Sequence, residues 1–116
     1  MGGTIESALT VRLREVLAGG SPTEADLREL TAEGRARARR LAADIRACER
    51  RLRGLNADPA SPISAIAEEL RRVEALRPQL REVRGLLADL DVRGRELRTA
   101  WLLHQADAAR ERGIRS

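Results

Sequence analysis

Arginine is the residue type in this chain with the clearest chemical potential, because a guanidinium group binds phosphates and carboxylates in a planar, bidentate geometry. All 22 basic residues are arginine, and eight of them fall between residues 35 and 53, against only Asp44 and Glu49. If this segment is helical, the arginines that recur every seven positions lie on one face, and two further arginines lie beside them, so that together they form one basic surface. We call this surface the arginine stripe, and it comprises Arg39, Arg40, Arg46, Arg50 and Arg53.

The arginine stripe has three interpretations, and the sequence leaves all of them open. It could bind the phosphates of a nucleic acid, or it could pair with acidic residues, either on a partner protein or on a later helix of the same chain, namely Glu68, Glu69, Glu74 and Glu82. It could also be a solvated face in a chain from an arginine-rich proteome. Since no aromatic residues are interleaved with the arginines and no recognition module is present, nucleic-acid binding would be sequence-independent and salt-sensitive.

The other reactive residue types are too sparse to form a catalytic or metal site. Cys48 is the single cysteine and His104 is the single histidine, whereas zinc sites need about four ligands drawn from such residues. Gly19-Gly20 lacks the lysine and spacing of a phosphate-binding loop. We therefore expect no catalytic residues, no metal, no cofactor and no enzyme activity, with Cys48 in a helical seam and His104 at the edge of the core.

The elements that position these residues are predicted to be helices. With one Trp, no Phe and no Tyr, the core must be aliphatic, which favours helices over strands. Apolar residues recur at spacings of three and four, which is the pattern of a coiled-coil seam. One seam runs through Leu41, Ile45, Cys48, Leu52 and Leu55, and a second through Leu76, Leu80, Val83, Leu87, Leu90, Leu97 and Trp101. The fold class is therefore all-α, as a single helical domain over residues 1–116.

Capping residues and turn residues predict where each helix begins and ends. A short first helix is expected over about 4–18, with Thr4 as N-cap, before Gly19-Gly20. A second helix is expected over about 22–55, started by a capping box from Ser21 to Glu24 and followed by Asn56 in a left-handed conformation. After a loop at 56–61, a third helix should run over about 62–110 and be kinked near 77–78 by Pro78.

A short loop between two long helices makes them antiparallel. The two helices should then pair residues whose numbers sum to roughly 120, which brings Leu41 near Leu80 and places Gly34 opposite Leu86 and Leu87. The same register leaves Trp101 beyond the start of the second helix. Trp101 and the adjacent leucines must be covered either by the first helix, folded back, or by a partner or second subunit.

A two-helix hairpin buries only a strip, so we expect the seam at the loop end to stay partly exposed and the chain to self-associate, with a dimer favoured. The expected interface residues are Leu41, Ile45, Leu52, Leu55, Ile66, Leu70, Val73, Leu97, Trp101, Leu102 and Leu103.

We therefore expect a helical assembly, scaffold or adaptor protein that acts through protein contacts. The alternatives are a sequence-independent nucleic-acid binder and a small regulatory subunit that masks a partner. No apolar run approaches the ~18 residues of a membrane span, so a cytoplasmic location without membrane association is expected. The chain resembles the arginine-rich helical hairpins of many small bacterial adaptor and assembly proteins, a likeness of composition that assigns no functional residues.

Overall fold

The computed structural model describes residues 3–19 and 23–115, and within them the fold is all-α, with three helices and no strand. They are α1 (Gly3–Leu17), α2 (Glu24–Ala57) and α3 (Ile63–Arg115). The molecule is a rod with extents of 85 × 26 × 16 Å, because α2 and α3 pack along each other as a long hairpin. This confirms the predicted fold class.

The start of α2 is a capping box, but it lies two residues later than predicted. Thr23 is the N-cap, since its hydroxyl accepts from Asp26 N at 3.1 Å while Asp26 Oδ2 accepts from Thr23 N at 3.0 Å. The hydrogen bond from the Thr23 backbone lowers the pKa of the Asp26 carboxyl. The predicted cap Ser21 lies outside the described residues. Serine and threonine are both N-cap residues, so the sequence contains two candidate capping boxes that start two residues apart.

Two further predictions about helix ends are wrong. The helix α1 begins at Gly3, so Thr4 lies inside it and is not the N-cap. The helix α2 continues to Ala57, and Asn56 is not left-handed; Asp58 is the C-cap, in an extended conformation, and its N–H donates to Leu55 O at 3.3 Å. Asp58 also organises the loop, because its carboxylate accepts from Ala60 N at 2.9 Å and its carbonyl from Ser61 N at 3.1 Å.

The end of α1 and the continuity of α3 follow the sequence closely. Gly19 has a φ of +114°, a conformation that favours glycine, directly after α1 ends. Pro78 lies inside α3, which continues as one element on both sides of it. The predicted kink at this proline stays a prediction. The helix runs about one turn further than expected, to Arg115.

The hairpin register is the predicted one. A Cβ placed on Gly34 would lie 2.6 Å from Leu87 Cδ2, so the glycine allows close approach of the two helices. Leu41 and Leu80 belong to one buried cluster, completed by Ile45 and Val83. The pairing of Leu41 with Leu80 and of Gly34 with Leu87 confirms the antiparallel arrangement.

The helix α1 covers the hairpin near its open end. Leu13 is fully buried and forms a second core cluster with Leu30 of α2 and Leu90 of α3. Two ion pairs fix its position, Arg12 with Glu33 at 3.1 Å and Arg14 with Glu82. The first helix therefore folds back onto its own hairpin, which gives three helices at this level of the rod.

Candidate protein-interaction surface

The last part of α3 extends beyond the other helices. On the hairpin register, Glu24 at the start of α2 lies level with the residues just before Leu97, so α2 begins too late to pair with α3 past that point. We call residues 97–113 the α3 extension. Its side chains are exposed almost throughout, including Trp101 at 60%, Leu102 at 61% and Leu103 at 62%. The predicted alternative that helix one covers these three residues is therefore wrong.

A groove of about 500 Å³ opens where the extension leaves the hairpin. Its apolar floor is built by Leu27 from α2 and by Leu90, Leu97 and Trp101 from α3. Gly94 also lines the groove and adds no side chain to it. Its charged rim contains two acids and three arginines, namely Glu24, Asp91, Arg28, Arg35 and Arg98. An apolar floor with a charged rim is the composition of a helix-binding groove.

The groove lies on the side of the hairpin away from α1. Glu33 faces α1, since it pairs with Arg12. Thr31 and Arg35 line the groove, and each is two positions from Glu33. Residues two positions apart on a helix are separated by about 200°. The groove and α1 therefore occupy opposite flanks of α2, and a helix in the groove would be the fourth of a bundle.

Helix geometry distinguishes the two exposed leucines of the extension. Trp101 and Arg98 line the groove. Leu102 lies about 100° from Trp101 around the helix axis, on the same side as Arg98 and Asp91. Leu103 lies about 200° from Trp101, on the opposite side of the helix. The two leucines are equally exposed, but only Leu102 can contact a helix that occupies the groove.

The loop end of the hairpin is better covered than predicted. Leu41, Ile45 and Val73 are buried within one chain, so the expectation that they stay partly exposed is wrong. Leu41 and Ile45 pack in one cluster with Leu80 and Val83, and partly buried apolar residues, Ala38, Ala42, Leu76 and Leu87, pack against this cluster. The other predicted interface residues there remain accessible to different degrees, with Leu52, Leu55 and Ile66 half-buried and Leu70 exposed.

The arginine stripe is exposed at all five positions. Arg39, Arg46, Arg50 and Arg53 share a sector of about 60° opposite the seam, but Arg40 lies about 100° away from Arg39 and does not belong to it. Grouping Arg40 with the others was wrong in geometry. Arg35 lies in the same sector instead and was missed, because it is not in the seven-residue repeat.

A buried polar cluster near the loop was also missed. Glu69 is 7% exposed, and its carboxylate accepts from Arg51 Nε at 2.9 Å and from Arg72 Nη1 at 2.6 Å. Arg51 also donates to Cys48 Sγ at 3.2 Å. The hydrogen bond from Arg51 is the main reason why the pKa of Glu69 is lowered, and the same bond raises the pKa of Arg51. The hairpin register could have predicted this pair, because it places residues 51 and 69 opposite each other.

The described residues contain no group of three or more metal-ligating side chains. His104 is exposed on the α3 extension, so its predicted place at the core edge is wrong. Cys48 is buried, as its place on the seam predicted. No helix among those described is long and apolar enough to cross a membrane.

Comparisons with protein-family models, with curated proteins and with solved structures gave no match.

Proposed function

We propose that this protein is a non-enzymatic helical interaction module that self-associates through the α3 extension. The observation that carries the proposal is the pair of exposed residues Trp101 and Leu102 beside an apolar groove on the flank opposite α1. The α3 extension of a second copy occupies this groove, and by two-fold symmetry the first copy's extension occupies the groove of the second.

The arrangement of the two extensions is antiparallel. Two-fold symmetry that brings Trp101 opposite Gln105 of the second copy also brings Arg112 of the second copy opposite Gly94. Gln105 and Arg112 lie within about 40° of Trp101 around the helix, so both face the groove. Glu24 and Asp91 stand on the groove rim near Gly94. These carboxylates pair within the chain with Arg28 at 3.4 Å and Arg95 at 3.2 Å, and both are exposed and can also accept from the Arg112 guanidinium, which supports a second copy as the occupant.

Covering the apolar side chains of the extension is also favourable on energetic grounds. The extension continues α3 for about 25 Å at 1.5 Å per residue, and helical stability in proteins comes mainly from the packing of an apolar face. Covering Leu102 stabilises by about 1.5–3 kcal/mol, and Trp101 supplies a larger apolar area. Self-pairing at this end also keeps the basic middle of α2 in one copy away from that in the other, because the extension lies beyond the start of α2.

The test is the solution mass by size-exclusion chromatography with light scattering, applied to the wild type and two matched variants. Leu102→Glu and Leu103→Glu place the same charge at adjacent, equally exposed positions. We expect a wild-type dimer at low and high salt, a monomer for Leu102→Glu and a dimer for Leu103→Glu. A wild type that is monomeric at all concentrations contradicts self-association.

A third variant distinguishes an interface at the α3 extension from one at the loop end of the rod. Leu70 is exposed at the loop end, so Leu70→Glu tests the alternative of a dimer formed there. We expect this variant to remain a dimer. A dimer that is lost with Leu70→Glu and kept with Leu102→Glu contradicts the proposed interface and moves it to the loop end.

A further inference from the structure

The outward face of α2 is basic along its middle and carries no acidic residue. Positions opposite the seam between residues 35 and 57 are occupied only by arginine, alanine and glycine. Apart from the arginines, these positions are Ala36, Ala43, Ala47, Gly54 and Ala57. From Arg39 to Arg53 the charged part of this face spans about 21 Å at 1.5 Å per residue. It is a straight row of guanidinium groups separated by small side chains.

The four arginines of this row have no partner among the residues that the structure describes. Arg39, Arg46, Arg50 and Arg53 are exposed and make no ion pair or hydrogen bond with any residue that the structure describes. Gly54 beside them has nothing within 4 Å of a Cβ position, so the face is open. Each guanidinium is therefore available to an outside anion.

Three of the four α3 acids named above as partners of the stripe pair with other arginines, and the fourth, Glu74, makes no ion pair with the row. Glu69 binds Arg51 and Arg72, Glu68 binds Arg72, and Glu82 binds Arg14 of α1. None of these ion pairs involves the row. The interpretation of the stripe as an intramolecular partner of α3 is not supported by these contacts, which leaves an external polyanion or water.

We infer that this face of α2 binds the phosphate backbone of duplex nucleic acid without reading its sequence. A row of guanidiniums suits regularly spaced phosphates, each of which can accept two parallel hydrogen bonds. The face has no aromatic side chain on which an unpaired base could stack, which favours a duplex over a single strand. It also has no large apolar side chain to enter a membrane, since the apolar side of α2 is buried in the hairpin.

The experiment is the fluorescence anisotropy of a labelled, mixed-sequence duplex of about 20 base pairs, titrated with the full chain at several salt concentrations. If four arginines contact phosphates, the logarithm of the binding constant falls with the logarithm of the salt concentration at a slope of about −3.6. The affinity then falls about 150-fold between 50 and 200 mM salt. The stripe variant is Arg39→Gln, Arg46→Gln and Arg53→Gln together. It leaves one arginine of the row, and the expected slope falls to about −0.9.

The matched control replaces three exposed arginines of α3, Arg71, Arg81 and Arg84, by glutamine. Both triple variants lower the formal net charge from +4 to +1 by removing three arginines. The control should keep the wild-type slope. A conservative variant with lysine at positions 39, 46 and 53 should keep most of the affinity, which shows that charge and not folding is responsible.

Three results would overturn the inference. One is the absence of duplex binding at the lowest salt, where screening is weakest. Another is an equal loss of slope in the stripe variant and in the α3 control, which would mean that net charge alone attracts the duplex. The last is tighter binding of polyglutamate, of phosphatidylserine vesicles or of a single strand than of the duplex. The dimer mass of the proposed function is measured separately, so either result can fail alone.

Discussion

The two ends of α3 belong to one helix but differ in what surrounds them. Near the loop, Val73 and Leu80 are buried against α2, and Glu69 is held by two arginines. Beyond Leu97 the same apolar spacing continues, but Trp101 and Leu102 are exposed because α2 begins too late to cover them. The difference shows that a seam predicts a helical partner, whereas the length of the neighbouring helix decides whether that partner is in the same chain.

The largest expected effect on stability separates these two regions directly. Leu41 is fully buried in the hairpin, so Leu41→Ala should lower the free energy of unfolding by about 2–5 kcal/mol through lost transfer energy and a cavity. Leu103 is exposed on the extension, so Leu103→Ala should change it by about 0.5 kcal/mol or less. Urea denaturation followed by circular dichroism measures both. Equal losses would mean that the extension is packed like the hairpin.

Two glycines of α2 sharpen the comparison between its inner and outer faces. At Gly34 a Cβ would lie 2.6 Å from Leu87 Cδ2, so Gly34→Ala must displace a core side chain. Overpacking costs about 1–3 kcal/mol, offset by up to about 1 kcal/mol of helix propensity, and a net loss of about 1 kcal/mol is expected.

The control is Gly54→Ala, where nothing lies within 4 Å. This substitution should raise the free energy of unfolding by about 0.5–1 kcal/mol, since only the propensity term acts. The same urea denaturation compares the two variants. A gain in stability at both positions would contradict close packing of α2 against Leu87.

The smallest expected effect is an acid dependence of stability from the loop-end cluster. The folded-state pKa of Glu69 is lowered from its ordinary value of 4.5, mainly by the hydrogen bond from Arg51. The stabilisation is therefore fully present above pH 4.5 and is lost as the pH falls through the lowered pKa. Asp26, whose pKa is lowered too, adds to the same acid loss.

Thermal unfolding at a series of pH values measures this effect. The variant Glu69→Gln should be less stable than the wild type at neutral pH and should lose less stability on acidification. The control Glu111→Gln changes an exposed residue with no ion pair among the described residues and should keep the wild-type pH profile. An unaltered profile in Glu69→Gln would mean that Glu69 does not form the buried pair.

Much of the fold was predictable because heptad spacing and loop length leave one antiparallel register, and the contact of Gly34 with Leu87 follows from it. Cap positions were less certain, since Ser21 and Thr23 compete for the same role and local sequence does not decide between them. The groove was not predictable, because it depends on which flank of α2 is taken by α1. On that flank the buried Leu13 of α1 packs against Leu30 and Leu90, which belong to two other helices.

The most direct test of the central claim uses Trp101, which is the only tryptophan in the chain. Its fluorescence emission reports the polarity around the α3 extension and nowhere else. We predict the emission of a water-exposed indole at low protein concentration and a shift to shorter wavelength at the concentrations where the mass doubles. Emission that stays at the exposed wavelength in the dimer would show that the extension is not the interface and would contradict this account.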